Sequence, residues 1–143
     1  ARLLAEIQEQ DLTNIRVLPD DVRPVLARFD GASLSRVFIL FPDPWPKLRH
    51  HRRRIVNPDM LDELARVMID GAELRLATDD QSYLVWILRH LHDHAAFEWL
   101  AEGASDWNTR PVDWPDTRYE SKNRSGGPGP TFLRYRRRPR SGA

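Results

Sequence analysis

The sequence predicts an α/β fold on a mostly parallel sheet, and three observations carry that expectation. Val37-Phe38-Ile39-Leu40-Phe41 is an unbroken apolar run, the pattern of a strand covered on both faces. Asn57-Pro58-Asp59 then opens a helical period, and Glu73-Leu74-Arg75-Leu76-Ala77 follows as a second strand. Thr78-Asp79-Asp80 introduces another helical period. Strand, helix, strand, helix in that order implies βαβ units.

Taken from the start, residues 2–10 read as a helix with Leu3, Leu4 and Ile7 on one face. Asn14-Ile15-Arg16-Val17-Leu18 alternates as a short strand. Val22, Val25, Leu26 and Phe29 fall at helical spacing, with an end expected near Gly31. In the helix after Asn57 the side chain of Asn57 caps the start and Pro58 occupies the first helical position. Its apolar stripe is Leu61, Leu64, Ala65 and Met68, and Gly71 is expected to close it. The next helix buries Leu84, Ile87, Leu88 and Leu91. From about 101 to 130 periodicity disappears, and a stretch of that length in a compact domain is usually functional. Thr131-Phe132-Leu133-Arg134-Tyr135 reads as a closing strand, antiparallel at the sheet end.

At 143 residues the chain fits one domain. No apolar run approaches the ~20 residues needed to span a bilayer, so no membrane partner is expected. There is no cysteine, which excludes disulfides and thiol nucleophiles and is compatible with a reducing cytoplasm. Net charge is only +1, but its distribution is uneven. Lys47, Arg49, Arg52, Arg53 and Arg54 form one basic cluster, and Arg134, Arg136, Arg137, Arg138 and Arg140 form another. Doubly wound folds normally open with a strand and a glycine-rich turn that holds the cofactor. This chain opens with a helix, so it is expected to begin partway through its fold.

The most informative segment is Phe41-Pro42-Asp43-Pro44-Trp45-Pro46-Lys47, at the carboxyl end of the first apolar strand, where open α/β sheets bind ligands. Three prolines within it stiffen the backbone and remove donors. A rigid loop bearing a carboxylate, an indole and an ammonium suits a flat polar ligand such as a purine; a proline-rich turn with Trp45 as core and Asp43 as a cap is the other reading. The arginines from Arg49 to Arg54 repel one another unless anions neutralise them, and polyphosphate is the usual anion. A solvated basic face is the alternative.

The run from Phe41 to Arg54 resembles the motif F-P-D-P-W-x-K-x-R-H-x-K-R-R of TrmB-type tRNA (guanine-N7)-methyltransferases, with Arg52 in place of the usual Lys. Asn57-Pro58, Ala77-Thr78-Asp79 and Thr117-Arg118-Tyr119-Glu120 match the family as well. The resemblance implies a Rossmann-like fold dependent on S-adenosylmethionine (SAM), and methylation of guanine N7 in the tRNA variable loop, position 46 in tRNA numbering. It implies Asp43 as the catalytic residue, lying where methyl donor and base meet. Asp21 and Asp43 would contact SAM. Lys47, Asp79, Thr117, Arg118, Tyr119 and Glu120 would contact substrate, and Arg49, His50, His51, Arg52, Arg53 and Arg54 would meet tRNA. The family's glycine-rich cofactor loop and first-strand acidic residues do not occur in this chain. Gly126-Gly127-Pro128-Gly129-Pro130 is looser than the family's C-terminal segment.

Other constellations are weaker. His90 and His94 could share a helix face, but no third metal ligand has a helpful spacing, and no metal is expected. No serine has a nucleophile-elbow context. The competing functions are a non-catalytic RNA-binding module on a degenerate methyltransferase fold, and a nuclease in which Asp43 and Asp79 converge on a metal. The expected state is a cytoplasmic monomer or homodimer.

Overall fold

The computed structural model describes residues 2–122, 127 and 129–141. In chain order the elements are α1 (Arg2–Glu9), α2 (Val22–Leu26), β1 (Leu34–Leu40), α3 (Pro58–Val67), β2 (Met68–Thr78), α4 (Gln81–Asp93), β3 (Phe97–Trp99), α5 (Ser105–Asn108), α6 (Arg118–Lys122) and β4 (Thr131–Arg137), with a 3₁₀ segment at Leu48–Arg53. The strands form one sheet in the order β1-β2-β4-β3. β1 and β2 run parallel, with Leu40 opposite Ala77, and α3 makes the crossover between them. β4 is antiparallel to both of its neighbours, so the described sheet is mixed rather than mostly parallel.

Local chemistry sets the helix starts. The Asn57 side chain accepts from the Met60 amide, and Pro58 needs no partner in the first turn. Asp80 accepts from the Tyr83 amide in the same way. Met60, Leu61 and Leu64 of α3, and Tyr83, Ile87 and Leu91 of α4, pack on Leu74, Leu76, Leu133 and Tyr135 of the sheet. Each such side chain contributes about 1.5–3 kcal/mol on leaving water.

Several sequence expectations need correction. Asn14–Leu18 forms no strand. Its apolar side chains Ile15, Val17 and Leu18 are exposed, and among the described residues no sheet neighbour supplies the ladder a strand requires. α2 stops at Leu26 rather than near Gly31, because the amides of Arg28 and Phe29 turn back three residues and the Arg66 guanidinium takes the carbonyls of Leu26 and Phe29. α3 ends at Val67, and Met68 already belongs to β2. Gly71 closes no helix; it sits inside β2 with φ 82°, where the β1–β2 register jumps from Leu34↔Met68 to Arg36↔Glu73. Only glycine enters that backbone region without strain. β4 lies inside the sheet, not at its end, since the unforeseen three-residue β3 forms the edge.

β1 is half-buried on one face only, leaving Phe38 45% and Leu40 39% exposed, so it is not covered on both faces as its apolar run predicts. β1 is an edge strand, and the second face of the sheet carries a smaller cover than the α3–α4 side. That cover is the segment around Trp114, which packs with Ala77, Phe132 and Phe41. Arg75 anchors it from β2. Its guanidinium is buried, donates to Asp113 at 2.7 and 3.1 Å and to Glu73 at 2.6 Å, and lies 5.7 and 5.5 Å from the ring centres of Phe38 and Trp114. The 101–130 region is therefore pinned to the sheet and includes two short helices, α5 and α6. Residues 123–126 and 128 of it, including Gly126 and Pro128 of the glycine-proline stretch, lie outside the described residues.

Candidate functional site

Because β1 and β2 are parallel neighbours, the loops that follow them emerge at the same end of the sheet. Asp43 lies three residues beyond β1 and Asp79 directly follows β2. The first loop leaves the sheet through the Phe41 amide, which still donates to the Ala77 carbonyl at 2.8 Å. Phe41 and Trp45 both take positive φ, 49° and 43°. For aromatic residues this is a strained backbone, of the kind found at ligand sites. Asp43, between them, is exposed and makes no hydrogen bond or ion pair among the described residues.

The third element reaches this end of the sheet from far along the chain. The Tyr119 ring lies 4.5 Å from that of Phe41, and its hydroxyl donates to Asp79 Oδ2 at 3.1 Å. Thr117 and Glu120 form a capping box on α6: Glu120 Oε2 accepts from the Thr117 amide and hydroxyl at 2.7 Å each, and the Glu120 amide donates back to Thr117 Oγ1 at 3.3 Å. Burial works against the Glu120 charge, but hydrogen bonds from Arg110 and Thr117 outweigh it and hold the carboxyl below its ordinary value. Glu120 is thus a buried structural carboxylate, while Thr117 and Arg118 line an open cleft of about 620 Å³ with Arg2, Glu6 and Asp116. Arg110, which the sequence reading passed over, joins Glu120, Asp116 and the Pro115 carbonyl. A lone arginine in an irregular stretch carries no signal of that role.

The basic run divides by direction. A 3₁₀ turn aligns every third residue, so His51 and Arg54 point inward together: His51 meets the Trp86 ring at 5.4 Å and the Arg54 guanidinium lies 5.1 Å from it. Arg49, Arg52 and Arg53 are exposed, as is Lys47. Arg53 lies over the Trp45 ring at 5.0 Å, and His50 meets the same ring edge-on. Arg54 departs from the expectation that the whole run faces RNA: it is 1% exposed, out of reach of a macromolecule.

Asp21, expected near SAM, caps α2 and is gripped by Arg23, whose hydrogen bonds hold its carboxyl down at about 2. The second arginine cluster is mostly structural. Arg137 and Arg140 donate to the Ala65 carbonyl, and Arg140 also to those of Arg66, near the end of α3, and of Met68, at the start of β2. Among the described residues no group of three or more His, Asp and Glu side chains could hold a metal. His90 donates to the Trp86 carbonyl and His94 pairs with Asp62. No described helix is long and apolar enough to cross a membrane.

The chain is similar to known proteins over nearly its whole length. The chain is 50% identical over 140 residues to the tRNA (guanine-N(7)-)-methyltransferase of Rhodospirillum rubrum, covering 98% of this chain and 55% of that protein. It is 51% identical to the protein of the same name from Paramagnetospirillum magneticum, covering 98% of this chain and 58% of the relative. The chain thus spans little more than half the length of the curated relatives it matches. A SAM-dependent O-methyltransferase from Thermotoga maritima superposes on 97% of this chain and 46% of its own, with TM-score 0.52 and 12% identity, which shows a Rossmann-like methyltransferase fold. Residues 1–131 match the family described as "Putative methyltransferase", and the chain belongs to it.

Proposed function

We propose that this chain is the substrate-facing part of an enzyme that transfers a methyl group from SAM to N7 of a guanine in the variable loop of tRNA. The observation that carries the reading is the unpartnered Asp43 carboxylate on a proline-braced turn. It lies at the same sheet end as Asp79 and Tyr119, and the outward-facing Arg49, Arg52 and Arg53 follow it directly in the chain. The names of the relatives supply the substrate.

Guanine N7 attacks through an in-plane lone pair and has no proton to lose, so the site's task is placement and charge stabilisation. Asp43 accepts from the purine's exocyclic N–H groups and favours the positive charge that develops on the ring. Asp79, held by Tyr119, adds a second carboxylate. Lys47, Thr117 and Arg118 contact the nucleotide, and the 101–130 region forms the substrate wall of a single domain. Glu120 holds that wall rather than touching the base.

SAM supplies an electrophilic methyl on a cationic sulfur. Asp43 fits that group, being exposed and unpaired, whereas the Asp21 carboxylate is already engaged by Arg23. A cysteine-free chain acting on tRNA suits the cytoplasm. The test is mass spectrometry for 7-methylguanosine in unmodified tRNA incubated with the full-length protein and SAM. Tight tRNA binding with no methylated guanosine would overturn the reading in favour of a non-catalytic RNA-binding module.

A further inference from the structure

We propose that Arg54 is a positioning residue for the Asp43 turn and takes no part in tRNA binding, an inference that rests on the methyl-transfer reading above and refines it. Arg54 closes a run of outward-facing cations, yet its side chain is buried. Its Nε donates to the Pro44 carbonyl at 2.7 Å and its NH2 to Ser82 Oγ at 3.1 Å. The guanidinium lies 5.0 Å from the centroid of Tyr83 and 5.1 Å from that of Trp86, and among the described residues no carboxylate pairs with it.

A buried cation without a counter-ion is a costly way to fill space, and an apolar side chain packs there more cheaply. What the guanidinium adds is donors. The Asp43 turn is short of them, because Pro42, Pro44 and Pro46 have no N–H. Carbonyls are therefore the handles by which this turn can be held, and Arg54 takes the one next to Asp43. Its other arm reaches Ser82, in the first turn of α4, just past Asp79. One guanidinium thus ties the loop that carries Asp43 to the start of the helix that follows Asp79, and sets the separation of the two proposed site carboxylates. The two aromatic faces stabilise the charge that water no longer can.

The test compares Arg54→Met, Arg54→Lys and Arg52→Gln in the full-length protein. The first readout is the NMR order parameter of the Asp43, Trp45 and Lys47 amides. Arg54→Met lowers it from about 0.85 to below about 0.6 while the amides of β2 and α3 keep theirs, and Arg54→Lys restores part of the difference. The second is tRNA affinity against salt, which stays within about twofold of the unaltered protein for Arg54→Met but weakens with a shallower slope for Arg52→Gln. Turnover with saturating tRNA falls about ten- to a hundredfold for Arg54→Met. Loss of tRNA affinity with a shallower slope, or unchanged order parameters in the turn, would overturn the assignment. If Arg54→Met does not fold, Ser82→Ala decides: lower order parameters at the same three amides support the bridge, and unchanged ones reject it. Absence of methylation by the unaltered protein overturns the methyl-transfer reading alone, because the order-parameter comparison needs no turnover.

Discussion

The Tyr119 hydroxyl donates to Asp79 Oδ2 at 3.1 Å across a separation of 40 residues, while its ring rests on Phe41. One side chain thereby joins the loops after both parallel strands to α6. Tyr119→Phe keeps the ring contact and removes the hydrogen bond, which is worth about 0.5–1.5 kcal/mol. The expected result is a two- to tenfold loss in kcat/KM, about that energy expressed as a rate ratio, with Tm lowered by a few degrees.

Asp43 carries the proposed chemistry without supporting the fold, since nothing among the described residues pairs with it. Asp43→Asn is expected to leave stability and tRNA affinity unaltered and to lower the single-turnover rate by about a hundredfold, the scale of one lost electrostatic contact. A near-normal rate with bound tRNA would reject the role given to this carboxylate.

Arg52 and Arg53 face solvent. Changing each to Gln should weaken tRNA binding for any tRNA sequence and reduce the slope of log Kd against log salt by about 1 per residue. Filter binding over a salt series reads this directly. Arg53→Gln also removes the cation from the Trp45 face, so indole fluorescence should change for that variant alone.

Glu120 links stability to acid. Its folded carboxyl is held below its ordinary 4.5 by Arg110 and Thr117, whose hydrogen bonds outweigh the opposing effect of burial. A depressed folded value means that the stabilisation is fully present above 4.5 and disappears as pH falls through the folded value. The Tm gap between the native protein and Glu120→Gln should therefore be widest near neutrality and shrink below 4.5. A gap that grows in acid would show the sign to be wrong.

Arg140 serves α3 rather than RNA. Arg140→Ala removes its hydrogen bonds to the Ala65, Arg66 and Met68 carbonyls and its pairing with Asp70, and should lower stability by about 1 kcal/mol, measured by urea unfolding, with tRNA affinity unchanged.

Sequence alone determined the α/β class, the start of α3 at Asn57, the start of α4 within Thr78–Asp80, and the resemblance carried by the Phe41–Arg54 segment. Caps and apolar periods are local, and a long motif needs no fold to be read. Tertiary structure alone decided the rest. Asn14–Leu18 alternates like a strand but has no neighbour to pair with among the described residues, and periodicity cannot report a partner. β4 enters the sheet between β2 and β3, because antiparallel pairing depends on which edge is vacant. Six consecutive residues from Arg49 to Arg54 look alike in sequence, yet the 3₁₀ turn and the Tyr83–Trp86 faces draw Arg54 inward while Arg52 and Arg53 stay in water. Glu120 and Arg110 are likewise ordinary charges until the chain folds over the sheet and places them together. Composition reports what a side chain can do, and only packing reports which way it points.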